Sequence, residues 1–129
     1  MKRTQKFFIC RHCHNLVGLI DNAGVPMVCC GEPMTELVPN SSDGASEKHL
    51  PVVSVEGCIV RVKVGSVPHP MEEAHSIKWI YVETTRGGQR ISLQPGEAPE
   101  AIFSVLNDKP VAVYAYCDLH GLSKVDVSA

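Results

Sequence analysis

The chain has 129 residues, 12 Lys and Arg against 14 Asp and Glu, a formal net charge of −2, and 44% hydrophobic residues. That length suits one ordinary domain, or a modest domain carrying a small one. The slightly acidic balance argues against a nucleic-acid binder that works by neutralising phosphates, and no apolar run approaches the ~18 residues of a membrane span.

In chain order, the basic stretch at residues 1–6 is followed by only Phe7-Phe8-Ile9 before Cys10 and Arg11. This is too short for a signal-peptide core, so a cytoplasmic, reducing setting is expected, in which thiols serve as metal ligands more often than as disulfides. Residues 6–9 read as a strand and lead into Cys10-Arg11-His12-Cys13. A C-x-x-C knuckle lets two sulfurs converge on one ion while N–H groups of the turn point at them. A second strand is expected at 16–20, then a turn at Asp21-Asn22-Ala23-Gly24, with Pro26 as further punctuation. The adjacent pair Cys29-Cys30 then completes a four-sulfur set of the kind soft metals prefer. Neighbouring residues share one tetrahedron only with a widened angle at the metal, so a distorted site is expected. A redox C-x-x-C or a disulfide framework is the alternative. A unit of residues 1–38 is too small to fold on its apolar core alone, and the metal is expected to act as its staple.

Residues 39–46, polar and turn-rich, read as a linker. From residue 47 the pattern is strand-like. In 58–64, Cys58, Val60, Val62 and Val64 alternate with Arg61 and Lys63, which assigns Cys58 to the core face as a small hydrophobe. Further strands are expected at 77–82, 89–93, 111–117 and 122–127, while 101–106 suits a strand or a helical turn. Six or seven short strands in the region 47–129 suggest an immunoglobulin-like β-sandwich.

Six histidines are present: His12, His14, His49, His69, His75 and His120. His12 and His14 flank the knuckle and suit surface roles. His49 sits in Glu47-Lys48-His49-Leu50-Pro51, His69 and His75 bound one loop, and Cys117-Asp118-Leu119-His120 sets a thiolate and an imidazole across the turn after a strand. Cys117 shares the face of Val111, Val113 and Ala115, the side expected to meet the core. One sulfur from the protein side and four loop nitrogens make five ligands, which leaves a six-coordinate ion one open position. A blue-copper site is the rival, with Met71 its sole axial candidate. A zinc-stapled binding module with incidental histidines is another.

Taken together, these stretches resemble the desulfoferrodoxin family of two-iron superoxide reductases. Residues 1–38 look like its desulforedoxin-type module. Residues 47–129 look like its neelaredoxin-type catalytic domain, with Glu47-Lys48-His49-x-Pro51, the histidine loop from His69 through Trp79-Ile80, and Cys117-x-x-His120. Asp118 departs from the Asn expected in many relatives and adds a negative charge near the thiolate. The resemblance implies a mostly β protein, a small metal-stapled module before the sandwich, with two irons per chain. Cys10, Cys13, Cys29 and Cys30 would hold one in a distorted tetrahedron. His49, His69, His75 and His120 would surround the other, with Cys117 axial in a square pyramid. It also implies one-electron reduction of superoxide to hydrogen peroxide, a rubredoxin-like donor, a homodimer and a cytoplasmic location. Lys48 would attract the anion, and Glu47 would close the sixth position after turnover. Dismutation, and a small electron-transfer protein, are the readings that remain beside it.

Overall fold

The computed structural model describes residues 5–41, 50–65 and 70–127. Among these residues it shows twelve β-strands and no helix. The chain divides into two compact units, Met1–Val38 and Pro39–Ala129.

In the first unit, β1 (Lys6–Ile9) lies between β2 (Leu16–Leu19) and β5 (Thr35–Glu36) in an antiparallel sheet. β3 (Val28–Cys29) and β4 (Glu32–Pro33) form a separate hairpin. Alternation along β1 turns Phe7 and Ile9 inward, where they join Leu37 and Cys10 as the buried apolar residues of this unit. The expected 16–20 strand stops at Leu19, leaving Ile20 largely exposed. This core is small for an independent fold.

The second unit packs two antiparallel sheets. One has the order β10-β7-β6 and the other β12-β11-β8-β9. The strands are β6 (Pro51–Glu56), β7 (Ile59–Val64), β8 (Ile77–Thr84), β9 (Gly87–Ser92), β10 (Glu100–Ser104), β11 (Pro110–Cys117) and β12 (Gly121–Asp126). This is the immunoglobulin-like sandwich expected from the strand spacing, with its fourth strand paired to the third. Val60, Val62 and Val64 from one sheet meet Ile80, Val82, Val113, Ala115 and Cys117 from the other. The ambiguous 101–106 segment is a strand as far as Ser104, with Ala101 and Phe103 buried and Ile102 and Ser104 exposed.

Cys58 corrects the sequence reading. Instead of joining the valine face it is exposed, in the turn between β6 and β7. Gly57, with φ of 58°, bends the chain there, so the alternation continues in sequence past the point where the strand has ended. Asn40, inside the stretch read as linker, is bound to β12. Its N–H donates to Leu122 O at 2.9 Å, Nδ2 donates to Lys124 O at 3.0 Å, and Oδ1 accepts Lys124 N at 2.9 Å.

Candidate metal centres

The four cysteines of the first unit converge. Their sulfurs all lie within 4.8 Å of one another, and Cys13 Sγ is 3.6 Å from Cys29 Sγ. A tetrahedron built on metal–sulfur bonds of about 2.3 Å has edges of about 3.8 Å, so the set fits one ion. Local backbone geometry explains the convergence. Cys13 N–H donates to Cys10 Sγ at 3.5 Å, the amide-to-sulfur contact of a C-x-x-C knuckle. Cys30 and Gly31 both have positive φ, 52° and 78°, the signature of a two-residue hairpin turn between β3 and β4. That tight turn is how two adjacent cysteines reach one centre. Asn15 Nδ2 donates to Cys29 Sγ at 3.8 Å.

The thiols compete for charge. The Cys13 N–H, more than any other partner, lowers the Cys10 pKa to about 6. The neighbouring sulfurs of Cys13 and Cys10 push Cys30 up to about 12, and that of Cys13 raises Cys29. Four sulfurs this close cannot all be thiolates unless a cation balances them, which is the condition a bound metal supplies. Cys10 is buried and Cys13 and Cys30 are exposed. His12 is exposed, with its Nε2 2.9 Å from Glu32 Oε2, in keeping with a surface role.

The second constellation lies at one end of the four-stranded sheet. Cys117 closes β11 and is 2% exposed. It faces the core with Val113 and Ala115, as its strand position predicts. Burial raises its thiol above the ordinary range, opposed by the backbone N–H groups of His120 and Leu119. The turn thus aims two amide donors at the sulfur, a setting that favours the thiolate once a cation is present. The imidazoles of His75 and His120 come from different loops and meet edge to face, their centroids 4.9 Å apart and their planes at 66°. A short bridge holds the His75 loop, with Glu72 N donating to His75 O at 2.9 Å and His75 N to Glu72 O at 3.1 Å.

Met71, the axial candidate of the copper reading, takes part in backbone pairing and core packing. Its sulfur accepts Ile77 N–H at 3.4 Å, its carbonyl accepts Gly96 N–H at 2.8 Å, and its side chain packs on the core. Trp79 and Tyr116, opposite each other on β8 and β11, stack at 5.6 Å one residue from the Cys117 end. Sequence inspection passed over this pair, although an aromatic at each of two paired strands is a signal for it. It also passed over Ser76 and Lys78 beside Asp118. Glu47, Lys48, His49 and His69 lie outside the described residues.

A two-unit, all-β metalloprotein is the class these features define, with a four-cysteine centre in one unit and, in the other, a buried cysteine at a strand end and two histidines in ring contact. The desulfoferrodoxin sequence profile matches residues 41–126. The chain is 44% identical over 126 residues to the desulfoferrodoxin of Nitratidesulfovibrio vulgaris, covering 98% of this chain and 99% of that one. It is also 44% identical over 122 residues to a desulfoferrodoxin homolog of Methanothermobacter thermautotrophicus, covering 95% and 98%. The crystal structure of the superoxide reductase from Treponema pallidum superposes with a TM-score of 0.81 at 35% identity, covering 98% of this chain and all of that one. The chain belongs to the desulfoferrodoxin family.

Proposed function

We propose that this chain is a superoxide reductase. Each turnover consumes one superoxide, one electron and two protons and yields one hydrogen peroxide. The observation that carries the reading is the ring contact of His75 and His120, 4.9 Å between centroids, with His120 in the turn that follows the buried Cys117. Family membership and the likeness to a protein titled superoxide reductase support it.

In this reading His49, His69, His75 and His120 offer four nitrogens and Cys117 one sulfur to an iron. Cys10, Cys13, Cys29 and Cys30 hold a second iron. Bound by such a mixed set, ferrous iron would supply the transferable electron. The chain's own residues do the rest. The strand end fixes Cys117 on the core side, with the N–H groups of Leu119 and His120 turned to its sulfur. That leaves the loops as the side from which a small anion approaches. Lys48, next to His49, attracts superoxide to a protein whose net charge is −2. Glu47, next to Lys48 in the sequence, would be the carboxylate available to close the site after turnover. The four-cysteine centre, all of whose donors come from protein, offers no position for substrate and either relays electrons or holds its unit together.

A rubredoxin-type protein is the proposed electron donor, a homodimer the proposed assembly, and the cytoplasm the proposed location. A reducing compartment keeps the clustered thiols available as ligands. Among the described residues, no helix is long and apolar enough to cross a membrane.

The test is the peroxide formed per superoxide consumed by pre-reduced protein with no added donor. One peroxide per superoxide without oxygen evolution is expected. Half a peroxide with matching oxygen means a dismutase. No reaction beyond the buffer rate means a metal-stapled binding module.

A further inference from the structure

Two separate segments supply the described ligand candidates of the second centre. The loop before β8 carries His75, and the end of β11 with the turn after it carries Cys117 and His120. The regular ladder between β8 and β11 breaks just there. Its register shifts between Tyr116 and Cys117, which pairs with Ile77. Ser76, the residue between His75 and that ladder, is fully buried. Its N–H therefore needs an acceptor from outside the regular pairing.

Asp118 provides it. Its Oδ1 accepts Ser76 N–H at 3.1 Å, and its own N–H donates to Ser76 O at 3.3 Å. Its Oδ2 lies 3.5 Å from Lys78 Nζ. The side chain is 27% exposed, so the carboxylate is half withdrawn from water and is adjacent in sequence to the Cys117 sulfur ligand. A carboxylate beside a thiolate is electrostatically unfavourable, and a cation on its far oxygen offsets that cost. The same side chain thus ties two ligand-bearing segments together and carries its own counter-ion.

We propose that Asp118 is a positioning residue that braces the His75 segment to the turn bearing Cys117 and His120 through the buried amide of Ser76, with Lys78 offsetting its charge at the metal. This rests on the metal-site reading given under Proposed function. An outer-shell group of this kind acts by holding ligands in place before the metal arrives, and its removal weakens metal retention.

Three variants of the full chain separate the brace from the charge. Asp118→Asn keeps an oxygen for the Ser76 amide and loses the charge. Asp118→Ala loses both, and Lys78→Met loses only the countercharge. Amide hydrogen exchange at Ser76 is read on the metal-free protein. Removal of cobalt(II) by a chelator is read on the cobalt-loaded protein, and the midpoint potential on the iron form. Asp118→Ala is expected to speed Ser76 exchange and to release cobalt about ten- to a hundredfold faster, while Asp118→Asn stays near wild type in both. Both substitutions raise the potential of the second centre, and Lys78→Met lowers it. Unchanged Ser76 exchange in Asp118→Ala overturns the brace, as does an Asn variant as defective as the Ala variant. A potential unmoved by Lys78→Met overturns the countercharge. Because Ser76 exchange is read without metal, a braced chain that fails to consume superoxide counts against the proposed activity alone.

Discussion

The two units gather their candidate metal ligands in opposite ways. In Met1–Val38 the strands are two to four residues long, and the buried apolar residues are Phe7, Ile9, Cys10 and Leu37. Cys10 belongs both to that core and to the metal cluster, so the fold and the centre are one object. In Pro39–Ala129 two sheets of five- to eight-residue strands enclose Val60, Val62, Ile80, Val82, Phe103 and Val113 with no metal candidate needed among them. Cys117 then lies at the edge of a core that already exists. Where the metal makes the fold, every ligand is protein and the site is closed. Where the fold stands without the metal, the candidate ligands gather at one end of a finished sandwich, where the proposed function needs a position for substrate.

The difference is broken most severely at Cys117, the proposed sulfur ligand of the larger unit. Cys117→Ser is expected to lower the rate of superoxide consumption by roughly two orders of magnitude, judged against the ten- to hundredfold losses typical of outer-shell groups. Stopped-flow mixing with superoxide checks this, and the absorption of the four-cysteine centre stays as in wild type.

Next in size is metal removal from the smaller unit. Structural four-thiolate sites contribute on the order of 10 kcal/mol to the folding of small domains. Chelation should collapse the dispersed amide resonances of residues 5–38 and leave those of the sandwich in place. A dispersed spectrum from the metal-free unit would show that Phe7, Ile9 and Leu37 suffice.

Phe103→Ala probes the larger core. Phe103 is 2% exposed, and its truncation should cost about 3–5 kcal/mol in denaturant unfolding of the sandwich. The metal retained by the four cysteines should not change.

The smallest effect concerns the end of β11 remote from Cys117. Asp108 there is held at about 2, below its ordinary 3.8. The nearby Thr84 hydroxyl is the largest cause, favouring the charged carboxylate although it does not meet hydrogen-bond geometry. Thr85 Oγ1 donates to Asp108 at 2.8 Å, and the N–H groups of Lys109 and Arg86 at 2.8 and 3.2 Å. A depressed folded pKa gives stability that is present above pH 4 and lost as pH falls from about 4 towards 2. Asp108→Asn should flatten that part of the acid unfolding curve, and an identical curve would remove Asp108 from the account.

Much of this was legible beforehand because the signals are local. Val60, Val62 and Val64 alternate with charges, and the strand follows. The C-x-x-C spacing and the Cys29-Cys30 pair announce a four-sulfur set, and the set is there. Other features depend on partners distant in sequence. Pro51 opens β6, a strand at the edge of its sheet, where a missing N–H is tolerated, yet a proline reads as a breaker. Gly87 and Gly88 begin β9 although glycine disfavours strands. A Cβ at Gly88 would strike the Tyr81 hydroxyl and come within 2.8 Å of Val82 O, so the close approach of β8 excludes a side chain. Cys58 was misread because periodicity carries no mark of where a hairpin turns. The Asp118–Ser76 brace joins residues 42 positions apart, and only folding reveals it.

The division of labour between the units is tested most directly by the second-order rate at which a pre-reduced Cys13→Ser chain oxidises on mixing with superoxide. The account predicts a rate close to that of wild type, with one hydrogen peroxide per superoxide, although the four-cysteine centre has lost a ligand. A rate that collapses with the cluster would contradict it, because the superoxide chemistry would then depend on the smaller unit.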